Sequence, residues 1–152
     1  MTVVRYERGT TRTPGGEHIT TVVDGEGTLL GCTRTTPDAD APALPASAWL
    51  ARFVPGHADG LDVQWVDRHA QEVRDRTGAR PTVSGAKVRS RHENGLCTGV
   101  IVAGRGRVAS YERDIRWDGG ERRRAPQMWL HDRWIAAREG GGPAPAAPYA
   151  RP

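Results

Sequence analysis

Three apolar-rich segments joined by two glycine turns constrain this chain more than any other feature. Residues 85–92, 96–102 and 108–117 are separated by Asn94-Gly95 and by Gly104-Arg105-Gly106. Asn-Gly tolerates the positive φ values of a tight hairpin better than almost any other dipeptide, so the first two segments are expected to be adjacent and antiparallel. The second turn adds the third segment to the same sheet. A three-stranded meander needs a partner layer for its apolar face. At 152 residues, the rest of the chain is long enough to supply it, since a domain of this size buries about 68–70% of its unfolded surface.

The remaining patterns point the same way. Val3 to Glu7 alternate like a strand, Pro14-Gly15-Gly16 interrupts, and His18 to Val23 is rich in β-formers. Asp24-Gly25-Glu26-Gly27 is turn chemistry, and Thr28 to Thr35 returns as the partner strand. Thr36 to Ala43 reads as a connector. Pro45 suits a first helical turn, Trp49, Leu50, Phe53 and Val54 fall at helical spacing, and Pro55-Gly56 closes the helix. Leu61 to Gly78 carries both periods: Leu61, Val63 and Trp65 alternate, whereas Val66, Ala70, Val73 and Thr77 repeat helically, so a strand followed by a short helix or irregular segment is expected. Pro126 to Glu139 has a helix's flanking residues, but Met128 and Ile135 lie away from Leu130, Trp134 and Ala137, which leaves a strand open. The expected fold is a single α+β domain over residues 1–139. It is a curved antiparallel sheet of six to eight strands with one or two helices packed on one face. Residues 140–152, rich in Gly, Pro and Ala, are expected to form a flexible tail.

Composition removes several classes. No apolar run approaches the length of a spanning helix. The N-terminal residues form no apolar leader, so a cytoplasmic protein with reduced Cys32 and Cys97 is expected. His and Cys spacings match no metal motif, and no cofactor or metal is expected. The net charge is +4, but Lys87 is the only lysine and acids interleave with the arginines, as in Glu72-Val73-Arg74-Asp75-Arg76. Nucleic acid is therefore an unlikely partner, because counterion release needs several cations on one face. No membrane contact is expected, and homo-oligomerisation stays open.

The hairpins place side chains on faces. With Asn94-Gly95 as a two-residue turn, His92 faces Cys97 and Ser90 faces Gly99. With Arg105-Gly106 as the next turn, Val100 faces Tyr111, Gly99 faces Glu112 and Cys97 faces Asp114; moving that turn by one residue puts Glu112 opposite Cys97. One face then carries Leu96, Thr98, Val100, Val102, Ala109, Tyr111 and Ile115, with Arg89 and Arg91 beside them. The other aligns His92, Cys97 and Asp114 or Glu112 across three strands. Opposed Cβ atoms about 4.5–5.5 Å apart would bring a thiol, an imidazole and a carboxylate within reach. That set could serve covalent or acid–base catalysis, with His131 as a further proton carrier. The bland reading is that these are solvated strand residues and a small buried cysteine.

Five tryptophans against one phenylalanine suggest aromatic walls, since an indole N–H wants a partner that a pocket rim can supply. Trp65, Trp117, Trp129 and Trp134, with Tyr111 and Arg91, are the expected ligand-binding set. Three functions follow. The first is a small domain binding a small organic molecule or peptide in a Trp-lined groove, such as an accessory protein of a biosynthetic or self-protection system. The second is a cofactor-independent isomerase, cyclase or hydrolase. The third is a partner-binding or inhibitory module.

Residues 45–117 run helix, loop, antiparallel meander. The last hairpin, Val100-Ile101-Val102-Ala103-Gly104-Arg105-Gly106-Arg107-Val108-Ala109-Ser110-Tyr111-Glu112, resembles the glycine-turn, Arg-Val-x-Ser-Tyr hairpin of PepSY-like domains. That resemblance implies a helix packed on an antiparallel sheet, a non-catalytic role and modulation or inhibition of a partner. It carries no catalytic residues over to this chain.

Overall fold

A computed structural model describes residues 1–7, 9–36, 44–75 and 77–152. Its centre is a seven-stranded sheet. The strands are β1 (Thr2–Glu7), β2 (His18–Val23), β3 (Leu29–Arg34), β4 (Leu61–Glu72), β5 (Thr82–His92), β6 (Cys97–Ala103) and β7 (Arg107–Ile115), ordered β1-β2-β3-β7-β6-β5-β4. All neighbouring pairs are antiparallel. A two-stranded ribbon, β8 (Trp117–Asp118) and β9 (Arg123–Arg124), stands apart. Helices α1 (Ala46–Phe53) and α2 (Pro55–Ala58) separate β3 from β4, and α3 (Asp132–Arg138) lies near the C-terminus. The expected α+β class and strand number are found. No helix among the described residues is long and apolar enough to cross a membrane.

Two layers cover the sheet, one on each face. On one face α1 meets Tyr111, Val100, Val108 and Val54, with Cys32, Trp49, Leu50 and Val88 half-buried around them. On the other, the segment after β7 builds its own small core from Met128, Trp134, Ile135 and Ala150. Ion pairs dock that core onto the sheet. Arg124 forks onto the Glu112 carboxylate at 2.5 and 2.6 Å. Arg5, which also bonds Glu7, reaches Asp132 at 2.6 Å, and Asp132 accepts the Gly15 N–H. Leu130 packs over Gly31, where an added Cβ would lie 2.9 Å from its Cδ1.

Several expectations are corrected. Residues 61–72 are one long strand, and among the described residues the irregular alternative follows it, not the helix, because β4 pairs with β5 along its whole length, from Leu61–His92 to Glu72–Thr82. Tertiary pairing overrides the helical spacing of Val66, Ala70 and Val73. Gly78, with φ +85°, belongs to a turn held by Asp75, not to a helix end. Helix α3 begins only at Asp132, since Met128 is spent on the small core instead of a helical stripe. The expected third strand of the meander is irregular at Asp114 (φ +58°) and ends at Ile115, so Trp117 falls in the ribbon. Most of the Gly/Pro/Ala-rich end is exposed, but Ala150 is buried against Met128, and Trp134 donates its indole N–H to the Arg151 carbonyl at 3.0 Å. From residue 37 on, the expected connector lies outside the described residues.

Candidate functional site

The register of the first hairpin decides where the candidate catalytic groups fall. The His92 N–H bonds the Leu96 carbonyl at 2.8 Å and the Gly95 N–H bonds the His92 carbonyl at 2.9 Å, so the loop is Glu93-Asn94-Gly95, one residue longer than expected. Arg91, not His92, is then opposite Cys97. A one-residue slip moves every side chain to the other face. His92 turns toward α2 and stacks on His57 with ring centroids 4.2 Å apart. Cys97 lies on the opposite face, 3.2 Å from the Arg89 guanidinium. The second hairpin keeps the expected Val100–Tyr111 and Gly99–Glu112 pairs, but a bulge sets Cys97 against Ile115.

The acids are also committed elsewhere. Asp114 accepts Arg113 Nε at 2.8 Å and the Asn94 amide at 3.4 Å. Burial pushes the Glu112 carboxyl up, but hydrogen bonds from His131 and Arg124, with the Arg124 charge, outweigh it and hold the group down to about 2. His131 Nε2 is 3.3 Å from that carboxylate. Glu112 and His131 are therefore brought together, but as part of the strut that fastens the C-terminal segment. The five catalytic candidates do not share one site.

The ligand-binding candidates divide three ways. Trp129 and Trp134 meet edge-to-face at 4.9 Å inside the C-terminal core. Tyr111 is fully buried under α1, between Trp49 and His57. Trp65, Trp117 and Arg91 lie at the open end of the sheet and are exposed.

A larger groove lies elsewhere, beneath α1. No residue of α1 is fully buried, and the helix leaves space beside its contacts with the sheet. The space left against β2, β3 and β7 is an opening of about 490 Å³. Trp49 and Phe53, one helical turn apart and 5.1 Å between centroids, form its aromatic wall. Ile19, Cys32, Val108 and Ala109 line the strand side. Arg34, Arg52 and Arg107 add guanidinium groups to the lining. Arg34 Nε and Arg107 Nη1 both bond the Thr36 hydroxyl, at 3.0 and 3.5 Å, and Arg107 Nη2 takes the Thr36 carbonyl at 3.2 Å, which orients both guanidinium groups. The Arg52 guanidinium lies 5.5 Å over the Phe53 ring. Burial pushes the Cys32 thiol up to about 11, so the groove holds a neutral thiol and no ready nucleophile.

No protein-family model matches the chain, and neither a curated protein nor a solved structure matches it. None of these comparisons bears on the PepSY-like resemblance of residues 45–117. Among the described residues, no cluster of three or more His, Cys, Asp and Glu side chains is placed to hold a metal ion.

The groove residues lie outside the site expected from the sequence, although their signals are present in it. Trp49, Arg52 and Phe53 share a helical face at i, i+3 and i+4. Cys32 and Arg34 share a strand face at i and i+2. What single-strand patterns cannot supply is the pairing of β3 with β7, which joins the two sets.

Proposed function

We propose that this chain is a binding domain that takes a small amphipathic organic anion into the groove beneath α1. The apolar part of the ligand lies along Trp49, Phe53 and Val108, and its acidic end turns toward Arg34 and Arg52. One observation carries this reading: aromatic and aliphatic walls share a single 490 Å³ opening with guanidinium groups. That volume falls within the usual range of small-molecule sites, which combine apolar walls with a few oriented polar groups. Burying the apolar part supplies affinity in proportion to area, about 25 cal/mol per Å². A guanidinium fork meets a carboxylate or sulfonate in fixed geometry, which supplies orientation and selectivity. Binding is favoured over catalysis because the groove offers a neutral thiol and cations, with no imidazole or carboxylate among its described lining residues.

Anilinonaphthalene sulfonate, with decanoate as competitor, tests this on the full chain. The dye's emission should rise saturably and fall as decanoate displaces it. Arg34→Gln and Arg52→Gln, both at positions in contact with solvent, should each weaken binding about tenfold, the loss expected for a charged hydrogen bond. A dye response that does not saturate, or that both variants leave unchanged, would contradict the assignment.

A further inference from the structure

A second surface lies on the face opposite α1. There the C-terminal segment covers β7 and β3 through Glu112–Arg124 and Leu130 over Gly31, and it reaches β1 through Asp132. It leaves β4 and β5 open. Lys87, Arg89 and Arg91 occur at alternate positions of β5, so all three project from this face with a spacing of about 7 Å. Two exposed indoles flank them. Trp65 is directly cross-strand from Arg89 and has Lys87 Nζ 5.9 Å from its ring centroid. Trp117 carries the Arg89 guanidinium 5.0 Å from its centroid. The two tryptophans are 39% and 37% exposed, well above what an indole in a core would show.

The acids on this strip do not form ion pairs with the row. Asp67 and Asp62 are cross-strand from Lys87 and Arg91, yet both carboxylates turn to their own strand. Asp62 takes the Gln64 amide at 2.8 Å and Asp67 the Arg68 N–H at 2.7 Å. Among the described residues no ion pair engages Lys87 or Arg91. The row therefore offers charge to something outside the chain, and that something must also have a use for flat aromatic surface.

The sequence does not reveal a face that gathers several cations, but β5 supplies one; we propose, against that expectation, that this strip binds single-stranded nucleic acid. The phosphates follow Lys87, Arg89 and Arg91 along β5, and bases stack on Trp65 and Trp117. Cations tracking a backbone beside aromatic platforms are the two components of sequence-tolerant single-strand binding. A duplex is disfavoured because its bases are already stacked and the strip presents no protruding element to enter a groove. An acidic peptide would use the cations but leave both indoles idle.

Fluorescence anisotropy with a labelled oligothymidylate and the full-length protein tests the proposal. Binding should weaken as salt rises, with a slope near 2 on logarithmic axes, about 0.7 for each of three phosphate contacts. Lys87→Glu with Arg91→Glu should weaken binding at least tenfold and flatten that slope. Trp65→Ala should cost about 5- to 100-fold, the range of one lost base stack, with circular dichroism reporting that the sheet is intact. Arg34→Gln and Arg52→Gln should have no effect, which keeps this site distinct from the groove beneath α1. The proposal is overturned if the oligonucleotide fails to bind at low salt, if the charge reversals leave affinity unchanged, or if the groove variants abolish it. It is equally overturned if a duplex of the same length, or polyglutamate at matched charge, binds as tightly.

Discussion

At the scale of single residues, the chemistry concentrates under α2. His57 is buried there, with Nε2 2.8 Å from the Thr98 hydroxyl and its ring stacked on His92. Burial first, then the charges of Arg113 and His92, pull His57 down to about 4. The folded protein therefore keeps this imidazole neutral over a range where the unfolded chain, near 6.5, binds a proton. Stability from this group is full above pH 6.5 and is lost as pH falls from about 6.5 to about 4. Melting curves should show Tm dropping across that window by several degrees, since about 1 kcal/mol moves a domain of this size roughly 2–4 °C. His57→Gln, which keeps a polar group near Thr98, should remove part of that slope. Parallel pH profiles for variant and wild type would show that another group is responsible. The buried His57 was hidden from sequence reasoning because nothing in Pro55-Gly56-His57-Ala58 signals that this turn folds back onto β6.

At the scale of elements, turn chemistry was legible and loop length was not. Asn94-Gly95 marks the bend, and Gly95 takes the positive φ of 84° that its lack of a Cβ permits. The same dipeptide serves both two-residue hairpins and three-residue loops with glycine in the left-handed position. The Asn94 side chain accepting the Leu96 N–H at 2.9 Å helps hold the longer form. That single residue separates His92 from Cys97 and carries Arg89 and Arg91 out to the open face. The pairing of β5 with β6 has a sharp test at Gly85, which is cross-strand from Ala103. An added Cβ there would collide with the Val102 carbonyl oxygen, so backbone has to move. Gly85→Ala should cost about 1–3 kcal/mol or more by urea denaturation, whereas Gly104→Ala, with nothing within 4 Å, should change little. Equal effects would mean that β5 and β6 are not paired in this register.

At the scale of the whole molecule, the sheet is a plate with a different cover on each side. The first cover was legible, since Trp49, Leu50 and Val54 announce a helix with one apolar face. The second was not, because its core draws on residues far apart in sequence: Met128, Trp134 and Ala150. A Gly/Pro/Ala-rich segment reads as having nothing to bury, yet its backbone accepts hydrogen bonds from half-buried Arg123 and buried Arg124. Arg123 Nη1 reaches the Pro145 and Tyr149 carbonyls at 3.1 and 3.0 Å, and the Arg124 N–H bonds the Pro148 carbonyl at 3.0 Å. Deleting residues 145–152 should therefore destabilise the protein by about 2–4 kcal/mol, in the range of other losses of buried apolar packing with unpaired polar groups. It should also shift tryptophan emission to the red as Trp134 becomes wet. Unchanged stability and emission would show that the end of the chain contributes no packing.

The two covers also leave two different openings, an aromatic groove beneath α1 and a cationic strip across β5, and only the first has the depth for a small ligand. Amide and indole chemical shifts of the isotope-labelled full chain, followed as decanoate is added, test that most directly. The Trp49 indole and the amides of Ile19, Arg34 and Phe53 should move together and saturate, while Trp65, Trp117 and Trp134 stay in place. Shifts centred on Trp65 and Trp117, or none at Trp49 at saturating decanoate, would contradict the account.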